Sequence, residues 1–225
     1  MEQQRRTIKS YVLRQGRLTT AQKQALDRHW SVYGLDFNVD KLDLAAVFGR
    51  SAPVILEIGF GNGESLLQQA VSRPEQDYIG IEVHRPGVGR LLHLAAEAGI
   101  ANLRVINHDA VEVLQRQIPD NSLDCVQLFF PDPWHKKRHH KRRIINPAFI
   151  QLVRQKLKTG GQFHLATDWQ DYAEYMLAQM EQADGFSNTG GKGHFAQQTD
   201  RPPTKFEHRG RRLGHGVWDL VFSKN

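Results

Sequence analysis

Residues 53–65 read PVILEIGFGNGES, an apolar run that leads directly into three glycines at alternate positions. The residues that follow, GESLLQQAVSR, carry the spacing of apolar side chains that a helix requires. A strand, a Gly-x-Gly turn and a helix in this order are typical of the first unit of an open α/β sheet. Glycines permit the tight turn and let backbone N–H groups approach a ligand at the carboxyl end of the strand. The stretch therefore predicts an α/β domain that binds a nucleotide or nucleoside.

Apolar runs continue along the chain and alternate with helix-length segments, as expected of a doubly wound, mostly parallel sheet. The end of the chain differs, because DGFSNTGGKGHF (184–195) and the final run GVWDLVF have no good helix between them, only the turn-rich, basic segment QQTDRPPTKFEHRGRRLGH. We therefore expect an antiparallel strand at the C-terminal side of the sheet. The further runs are YIGIEV (78–83), LRVIN (103–107), LDCVQLFF (123–130), GQFHLAT (161–167) and GVWDLVF (216–222), and the helical segments are GESLLQQAVSR, PGVGRLLHLAAEAG, DAVEVLQRQ and INPAFIQLVRQKLK.

Positive charge is concentrated in one place. The 225 residues include 30 Lys and Arg against 24 Asp and Glu, a formal charge of +6, and the segment 136–143 (KKRHHKRR) alone contributes six positive charges and no acid. The remainder is neutral, which argues against a generally cationic protein of the ribosomal or histone kind. No apolar run approaches the ~18 residues of a membrane span, and the first residues lack the apolar core of a secretory signal, so we expect a cytoplasmic protein without a membrane.

Two sequence features concern organisation and cysteine chemistry. Thr19 and Gln22 have the spacing of a capping box and precede AQKQALDRHW, which predicts a short helix. We expect residues 1–50 to form a basic arm with short helices and residues 51–225 to form the main domain. The single Cys125 excludes an internal disulfide and a multi-cysteine zinc site, and its apolar surroundings predict core packing.

The glycine turn favours one class of cofactor. Gly59, Gly61 and Gly63 are followed by Glu64, where a dinucleotide fingerprint would have its third glycine and where a pyrophosphate would meet a negative charge. The chain also lacks the G-x-x-x-x-G-K-[ST] loop that holds a triphosphate. A nucleoside cofactor without phosphate fits better, and S-adenosylmethionine is the obvious one.

Acidic residues end the second and third predicted strands. Glu82 is placed to accept hydrogen bonds from both hydroxyls of a ribose, and Asp109 to accept one from an adenine amino group. The alternative is that strand-end acids only cap the helices that follow, which is plausible for Asp109 before AVEVLQ. Capping and ligand binding are compatible.

The fourth predicted strand runs into Phe-Phe-Pro-Asp-Pro-Trp, and Pro131 and Pro133 hold Asp132 rigidly at its tip. The alternative is a proline-rich turn with an aspartate chosen for turn geometry. Against it, Trp134 and the basic run follow at once, and an aromatic surface beside dense positive charge suits a nucleic-acid substrate. The histidines of the run lie among Lys and Arg without a nearby acid or Cys, so we expect no metal site.

The fifth predicted strand ends in ATDW, which places Asp168 at the same edge of the sheet. The segment TKFEHRG (204–210) precedes the last strand, and on its own it has the composition of a surface turn.

Taken together, EIGFGNGES, GIEVH, PDPWHKKRHHKRR, ATDW and TKFEHRGRRLGHGVWDL resemble the bacterial tRNA (guanine-N7)-methyltransferases in order and spacing, over residues of about 10 to 222. The resemblance implies a seven-stranded, Rossmann-like methyltransferase sheet and, as the target, the variable-loop guanosine of tRNA at position 46. It also implies residue roles. Contacts to S-adenosylmethionine would come from Glu57, Glu82, Asp109 and Asp132, contacts to guanine or tRNA from Lys136, Asp168, Thr204, Lys205, Phe206 and Glu207, and contacts to RNA from Arg138, His139, His140, Lys141, Arg142 and Arg143.

Guanine N7 carries a lone pair and has no proton to lose, so methyl transfer to it needs alignment more than a strong base. Our hypothesis is that Asp132 is the catalytic carboxylate and that, with Asp168, it orients the base and stabilises positive charge that develops on the purine. The alternatives are a methyltransferase for another RNA base or an amino group, an RNA-binding protein without activity and, least favoured, a nicotinamide-dependent oxidoreductase. The sequence leaves open a monomer or a weak homodimer.

Overall fold

A computed structural model describes residues 9–11, 16–197, 199–204, 207 and 216–225. Strands and helices alternate through most of this part of the chain, as the apolar runs predict. The strands are β1 (Val54–Ile58), β2 (Asp77–Ile81), β3 (Leu103–Ile106), β4 (Leu123–Phe129), β5 (Leu157–Thr167), β6 (Phe186–Asn188) and β7 (Trp218–Lys224). The α-helices are α1 (Thr20–Tyr33), α2 (Leu44–Phe48), α3 (Glu64–Ser72), α4 (Arg85–Ala98), α5 (Ala110–Arg116), α6 (Pro147–Lys156) and α7 (Gln170–Glu181).

The described strands form one seven-stranded sheet in the order β3-β2-β1-β4-β5-β7-β6. Strands β1 to β5 are parallel, β7 runs antiparallel to β5, and β6 runs antiparallel to β7. The predicted fold class is therefore confirmed, including the antiparallel C-terminal strand. Ile58 pairs with Ile81 and with Leu128, and Ile81 pairs with Ile106, so β1 to β4 end close to the same level. This register brings the residues that follow these strands to one edge of the sheet.

Both faces of the sheet are covered, as parallel sheets require. All five residues of β1 are buried, and alternate residues point to opposite sides. Leu56 packs in a large cluster under α5, α6 and α7, whereas Ile55 packs in a second cluster under α1, α3 and α4. The glycine turn after β1 therefore starts from a strand that is fixed from both sides.

The helix predicted after Thr19 is confirmed, and its capping box is formed in both directions between Thr19 and Gln22. This helix, α1, packs tightly on α4, because a Cβ atom at Gly89 would lie 2.8 Å from the carbonyl oxygen of Gln22. The hydroxyl of Tyr33 donates to the carbonyl of Ala95. Residues 20–33 are thus anchored on the domain that carries the sheet.

Three elements lacked a clear signal in the sequence. Helix α7 buries Tyr172, Met176 and Met180 among exposed polar residues, and the expected helical segments did not include it. Helix α2 and strand β6 contain only five and three residues, too few for a periodic pattern. Among the described residues, none of the helices is long and apolar enough to cross a membrane.

Candidate active site

The turn after β1 has the backbone geometry that only glycine adopts easily. Gly59, Gly61 and Gly63 have φ angles of 74°, 60° and 77°, and Gly63 is the N-cap of α3. A Cβ atom at Gly63 would lie 2.7 Å from the side chain of Leu91, whereas one at Gly59 would meet no atom within 4 Å. Gly63 is therefore needed for packing, and Gly59 faces open space where a ligand can approach the backbone.

Glu82 holds this turn in place. Its Oε2 accepts a hydrogen bond from the backbone N–H of Gly61 at 2.9 Å, and its Oε1 accepts from those of Val83 and His84 at 2.7 and 2.8 Å. Three backbone donors on one carboxylate fix its position at the end of β2. The residue expected to bind a ribose is thus also the one that orients the glycine turn.

Glu57 is a buried carboxylate inside β1 that faces the same space. Its Oε2 has no hydrogen-bond partner in the described part of the chain. Burial, followed by repulsion from Glu82, raises the pKa of Glu57 to about 8, although the positive charge of Arg201 opposes this shift. A cationic group next to this carboxylate would relieve its unfavourable burial.

Asp109 caps α5, because its Oδ1 accepts from the backbone N–H of Val111 at 2.9 Å. Its other oxygen lies 3.6 Å from the ammonium of Lys9. The capping alternative is therefore realised, and one oxygen still faces the N-terminal segment. The neighbouring His108 ring stacks on Phe37 at 3.8 Å.

These strand ends enclose a cavity of about 630 Å³, a size suited to a nucleoside-containing ligand. Every residue predicted to contact the cofactor lines it, and Thr204 lines it as well. Other polar residues that line it received no role from the sequence, among them Ser10, Tyr11 and His108, and also His84, although His84 ends the motif GIEVH.

The strand tip that carries Asp132 is strained. Phe130 and Trp134, which flank the Pro-Asp-Pro segment, have φ angles of 52° and 49°, a region that side chains other than glycine rarely occupy. The backbone N–H of Phe130 still donates to the carbonyl of Ala166 at 2.8 Å, so the pairing between β4 and β5 continues to this point. The turn thus projects an exposed Asp132 at the mouth of the cavity.

Asp132 and Asp168 share an unusual property. Within the described residues, neither carboxylate has a hydrogen-bond or ion-pair partner, although Asp168 is only partly exposed. Trp169, which follows Asp168, is exposed, and its ring meets that of His135 edge to face at 4.2 Å. Two free carboxylates beside an aromatic pair offer hydrogen-bond acceptors and a stacking surface to a planar base.

The basic run forms a 3₁₀ helix over Lys137–Arg142. Burial and then the neighbouring cations lower the pKa of His139, which favours its neutral form. Arg142 is partly buried: its Nε and Nη2 donate to the carbonyls of Lys9 and Tyr11 at 3.1 and 2.9 Å. The exposed residues of the run are Lys136, Lys137, Arg138 and Lys141.

The environment of Arg143 differs from the one expected of a residue that contacts RNA. Its side chain is only 3% exposed, donates to the carbonyl of Pro133 and to Asp171, and lies 4.8 Å from the ring centres of Tyr172 and Tyr175. A guanidinium held this way is not presented to a phosphate. Sequence reasoning missed this role because α7, which supplies its partners, was not expected.

The segment before β7 also lies at the site. Thr204 accepts a hydrogen bond from the backbone N–H of Glu207 at 3.2 Å, and Glu207 is buried against Arg201. Lys205 and Phe206, also predicted to contact guanine or tRNA, lie outside the described residues. In the described part of the chain, no group of three or more His, Cys, Asp or Glu residues is arranged to hold a metal ion.

Comparison with known proteins agrees with this geometry. A family model described as "Putative methyltransferase" matches residues 51–220. The tRNA (guanine-N(7)-)-methyltransferase of Aeromonas hydrophila is 61% identical over 97% of this chain and 93% of its own length. The chain belongs to the tRNA (guanine-N7)-methyltransferase family. The protein of that name from Escherichia coli K12 is 59% identical over 97% of this chain and 92% of its own length.

Solved structures show how widely the fold of this family member is shared. The 16S rRNA methyltransferase KamB aligns with a TM-score of 0.58 at 14% identity, covering 83% of this chain and 95% of its own. A 16S rRNA (adenine(1408)-N(1))-methyltransferase from Catenulisporales acidiphilia, crystallised with its cosubstrate S-adenosylmethionine, aligns with a TM-score of 0.56 at 16% identity, covering 84% and 92%. At such identities the likeness concerns the Rossmann-like methyltransferase fold alone.

Proposed function

We propose that this family member transfers a methyl group from S-adenosylmethionine to N7 of the guanosine at position 46, in the variable loop of tRNA. The proposal is carried by three features that lie at one edge of the sheet: a nucleoside-sized cavity, a run of exposed cations, and the carboxylates of Asp132 and Asp168, which have no partner among the residues that the structure describes. Family membership supports the same reaction.

The residues around the cavity fit the cofactor. Glu57 is a buried carboxylate, and its Oε2 has no hydrogen-bond partner among the described residues, which suits the positive charge of the cofactor's methionine part. Gly59 leaves its backbone open on the cavity side. Glu82 and Asp109 keep acceptor capacity for the ribose and the adenine amino group, since a carboxylate offers about four lone-pair sites. When bound, S-adenosylmethionine supplies an electrophilic methyl group on a sulfonium.

The protein's part in the reaction is to align the guanine. Asp132 at the cavity mouth and Asp168 at the neighbouring strand end accept hydrogen bonds from N1–H and the amino group of the base. Their charges stabilise the positive charge that the purine gains when N7 is methylated. No proton leaves N7, so neither carboxylate has to act as a base, and Asp132 serves by orientation and electrostatics.

The exposed cations bring the RNA to this cleft. We assign phosphate contacts to Lys136, Lys137, Arg138 and Lys141, which lie within ten residues of Asp132 along the chain. His139, His140 and Arg142 are only partly exposed, so we assign them a supporting role in placing this 3₁₀ helix. We further propose that the protein acts in the cytoplasm, where tRNA is modified, as a monomer or a weak homodimer.

Methyl transfer from labelled S-adenosylmethionine to an unmodified tRNA transcript tests the proposal, followed by chain cleavage specific to N7-methylguanine. Cleavage at position 46 alone is expected, and a transcript with adenosine at that position should accept no label. Label without cleavage would mean that another atom is methylated. Binding without transfer would mean a non-catalytic RNA-binding protein.

A further inference from the structure

Arg201 is a buried cation that no motif singled out. Its side chain is 4% exposed, and its described charge partners are Glu207, six residues further on, and Asp219, eighteen residues further on. Nε and Nη2 donate to the two oxygens of Asp219 on β7, at 2.6 and 2.9 Å, and Nη1 donates to Oε2 of Glu207 at 2.5 Å. One guanidinium thus joins the segment before β7 to the sheet.

The same guanidinium touches the turn that carries Asp132. It lies 5.4 Å from the ring centre of Phe129 and 5.5 Å from that of Phe130, the strained residue two positions before Asp132. A planar cation packed against two aromatic rings restricts their positions. Arg201 therefore supports the turn that carries Asp132 through its contacts with Phe129 and Phe130.

Asp219 is itself fixed from the other side. His164 of β5 lies 2.8 Å from Oδ1 of Asp219, and its ring meets that of Phe129 edge to face at 5.0 Å. Burial alone would raise the pKa of Asp219, but the hydrogen bonds from His164 and Arg201 outweigh it and lower the pKa to about 2. The carboxylate of Asp219 therefore stays charged and is a fixed ionic partner for Arg201.

We infer that Arg201 is a positioning residue for methyl transfer. It holds Thr204 and Glu207 on one side of the cleft against the turn 130–132 on the other, and so sets the width of the guanine site. Thr204 lines the cavity and is bonded to the backbone of Glu207, which Arg201 holds. Arginine is required because three directed donors satisfy two carboxylates at once, which an ammonium cannot reproduce. This inference rests on the proposed function.

Variants of Arg201 separate alignment from cofactor binding. We expect Arg201→Gln to lower the single-turnover methylation rate of tRNA by about ten- to a hundredfold at saturating S-adenosylmethionine, because small misplacements of a substrate cost such factors. The dissociation constant for S-adenosylmethionine should rise far less than the rate falls, by no more than about threefold. Arg201 makes no described contact with the glycine turn or with Glu82, and its charge acts on the cofactor site through Glu57. Arg201→Lys should recover part of the rate.

A matched control is available on the opposite edge of the sheet. Arg50 forms a two-point ion pair with Asp77 at the start of β2, far from the cleft in the topology. Arg50→Gln should lower the melting temperature but leave the single-turnover rate of the folded protein unchanged. The inference is overturned if Arg201→Gln loses activity only in proportion to its folded fraction, or if cofactor affinity falls in parallel with the rate.

Two further measurements cover the remaining outcomes. If Arg201→Gln does not fold, Asp219→Asn, which keeps the shape and removes one ionic partner, must show the same separation of rate from cofactor affinity or the inference fails. If the wild type methylates no tRNA, the proposed function fails, whereas the placement of Arg201 is still decided by hydrogen exchange. Arg201→Lys should then speed exchange in residues 199–204, 207 and 130–134 and leave residues 59–64 unchanged.

Discussion

The guanidinium of Arg142 lies over the indole of Trp134, 3.9 Å from its centre. Trp134 Nε1 donates to the carbonyl of Ser10 at 3.1 Å, and Arg142 donates to the carbonyls of Lys9 and Tyr11. The two residues therefore hold residues 9–11 beside the cavity. In the basic run, Arg142 and Arg143 thus make contacts within the protein, whereas the exposed cations are available to contact RNA.

The free charges should govern the affinity for tRNA. Changing Lys136, Lys137, Arg138 and Lys141 to Gln should weaken tRNA binding and lower the slope of log K against log salt by about 0.7 to 0.9 for each lost phosphate contact. Affinity for S-adenosylmethionine should not change. Lys158→Gln, a substitution near the start of β5 at the opposite edge, is the control. Filter binding of tRNA at several salt concentrations measures the affinity and the slope for both variants. An unchanged slope would mean that these residues do not contact the RNA.

Arg143 should behave as a structural residue. Arg143→Gln removes the bond to Pro133 and the contacts with two tyrosines, so we expect the free energy of unfolding to fall by about 1–3 kcal/mol. Arg138→Gln, a change to an exposed cation of the same run, should alter it by no more than about 0.5 kcal/mol. Urea titration compares the two. Equal stabilities would contradict the burial of Arg143.

Glu57 should make stability depend on pH. The carboxyl titrates near 4.5 in the unfolded chain and at about 8 in the fold, so between these values the folded state binds more protons and stability falls as the pH rises. The melting temperature of Glu57→Gln relative to the wild type should therefore increase from about pH 5 to about pH 8. Glu64→Gln controls for the loss of a negative charge at an exposed position. A constant difference would mean that Glu57 is not held in its protonated form.

Gly59 should be essential for the cofactor. Gly59→Ala introduces a Cβ at a φ of 74° into the space where we place the ligand, and we expect the affinity for S-adenosylmethionine to fall by about tenfold or more. Gly99, after α4, has a φ of 62° and the same empty surroundings, but it lies away from the cavity. Gly99→Ala should thus cost similar backbone strain and leave cofactor affinity intact. Calorimetric titration of both variants with S-adenosylmethionine distinguishes backbone strain from obstruction of the cofactor site.

Asp132 should act by alignment. Asp132→Asn keeps the size of the side chain and one acceptor oxygen but removes the charge, and we expect the single-turnover rate to fall by about tenfold or more with cofactor and tRNA both bound. Asp184→Asn, a change to an exposed carboxylate after the C-terminal end of α7, is the control. A wild-type rate for Asp132→Asn would exclude an electrostatic role.

The sequence predicted those parts of the molecule that depend on local pattern. The turn at Gly59–Gly63 and the acids after the strands follow from residues that are close in the chain, and the structure places them around one cavity. The partners of Arg143 and Arg201 were not predictable in this way. Asp219 lies 18 residues from Arg201, and Asp171 lies 28 residues from Arg143, so only the paired strands and the docked helix bring them together.

The position of β7 has a consequence for synthesis of the protein. This strand is the last of the described strands in sequence, yet it lies between β5 and β6 and supplies Asp219. While Trp218–Lys224 is still inside the ribosome, the side of β5 that pairs with β7 is unpaired, and Arg201 lacks its partner Asp219. We therefore expect a nascent chain to form the cofactor half of the cleft first, and to become competent for methyl transfer once β7 has paired with β5.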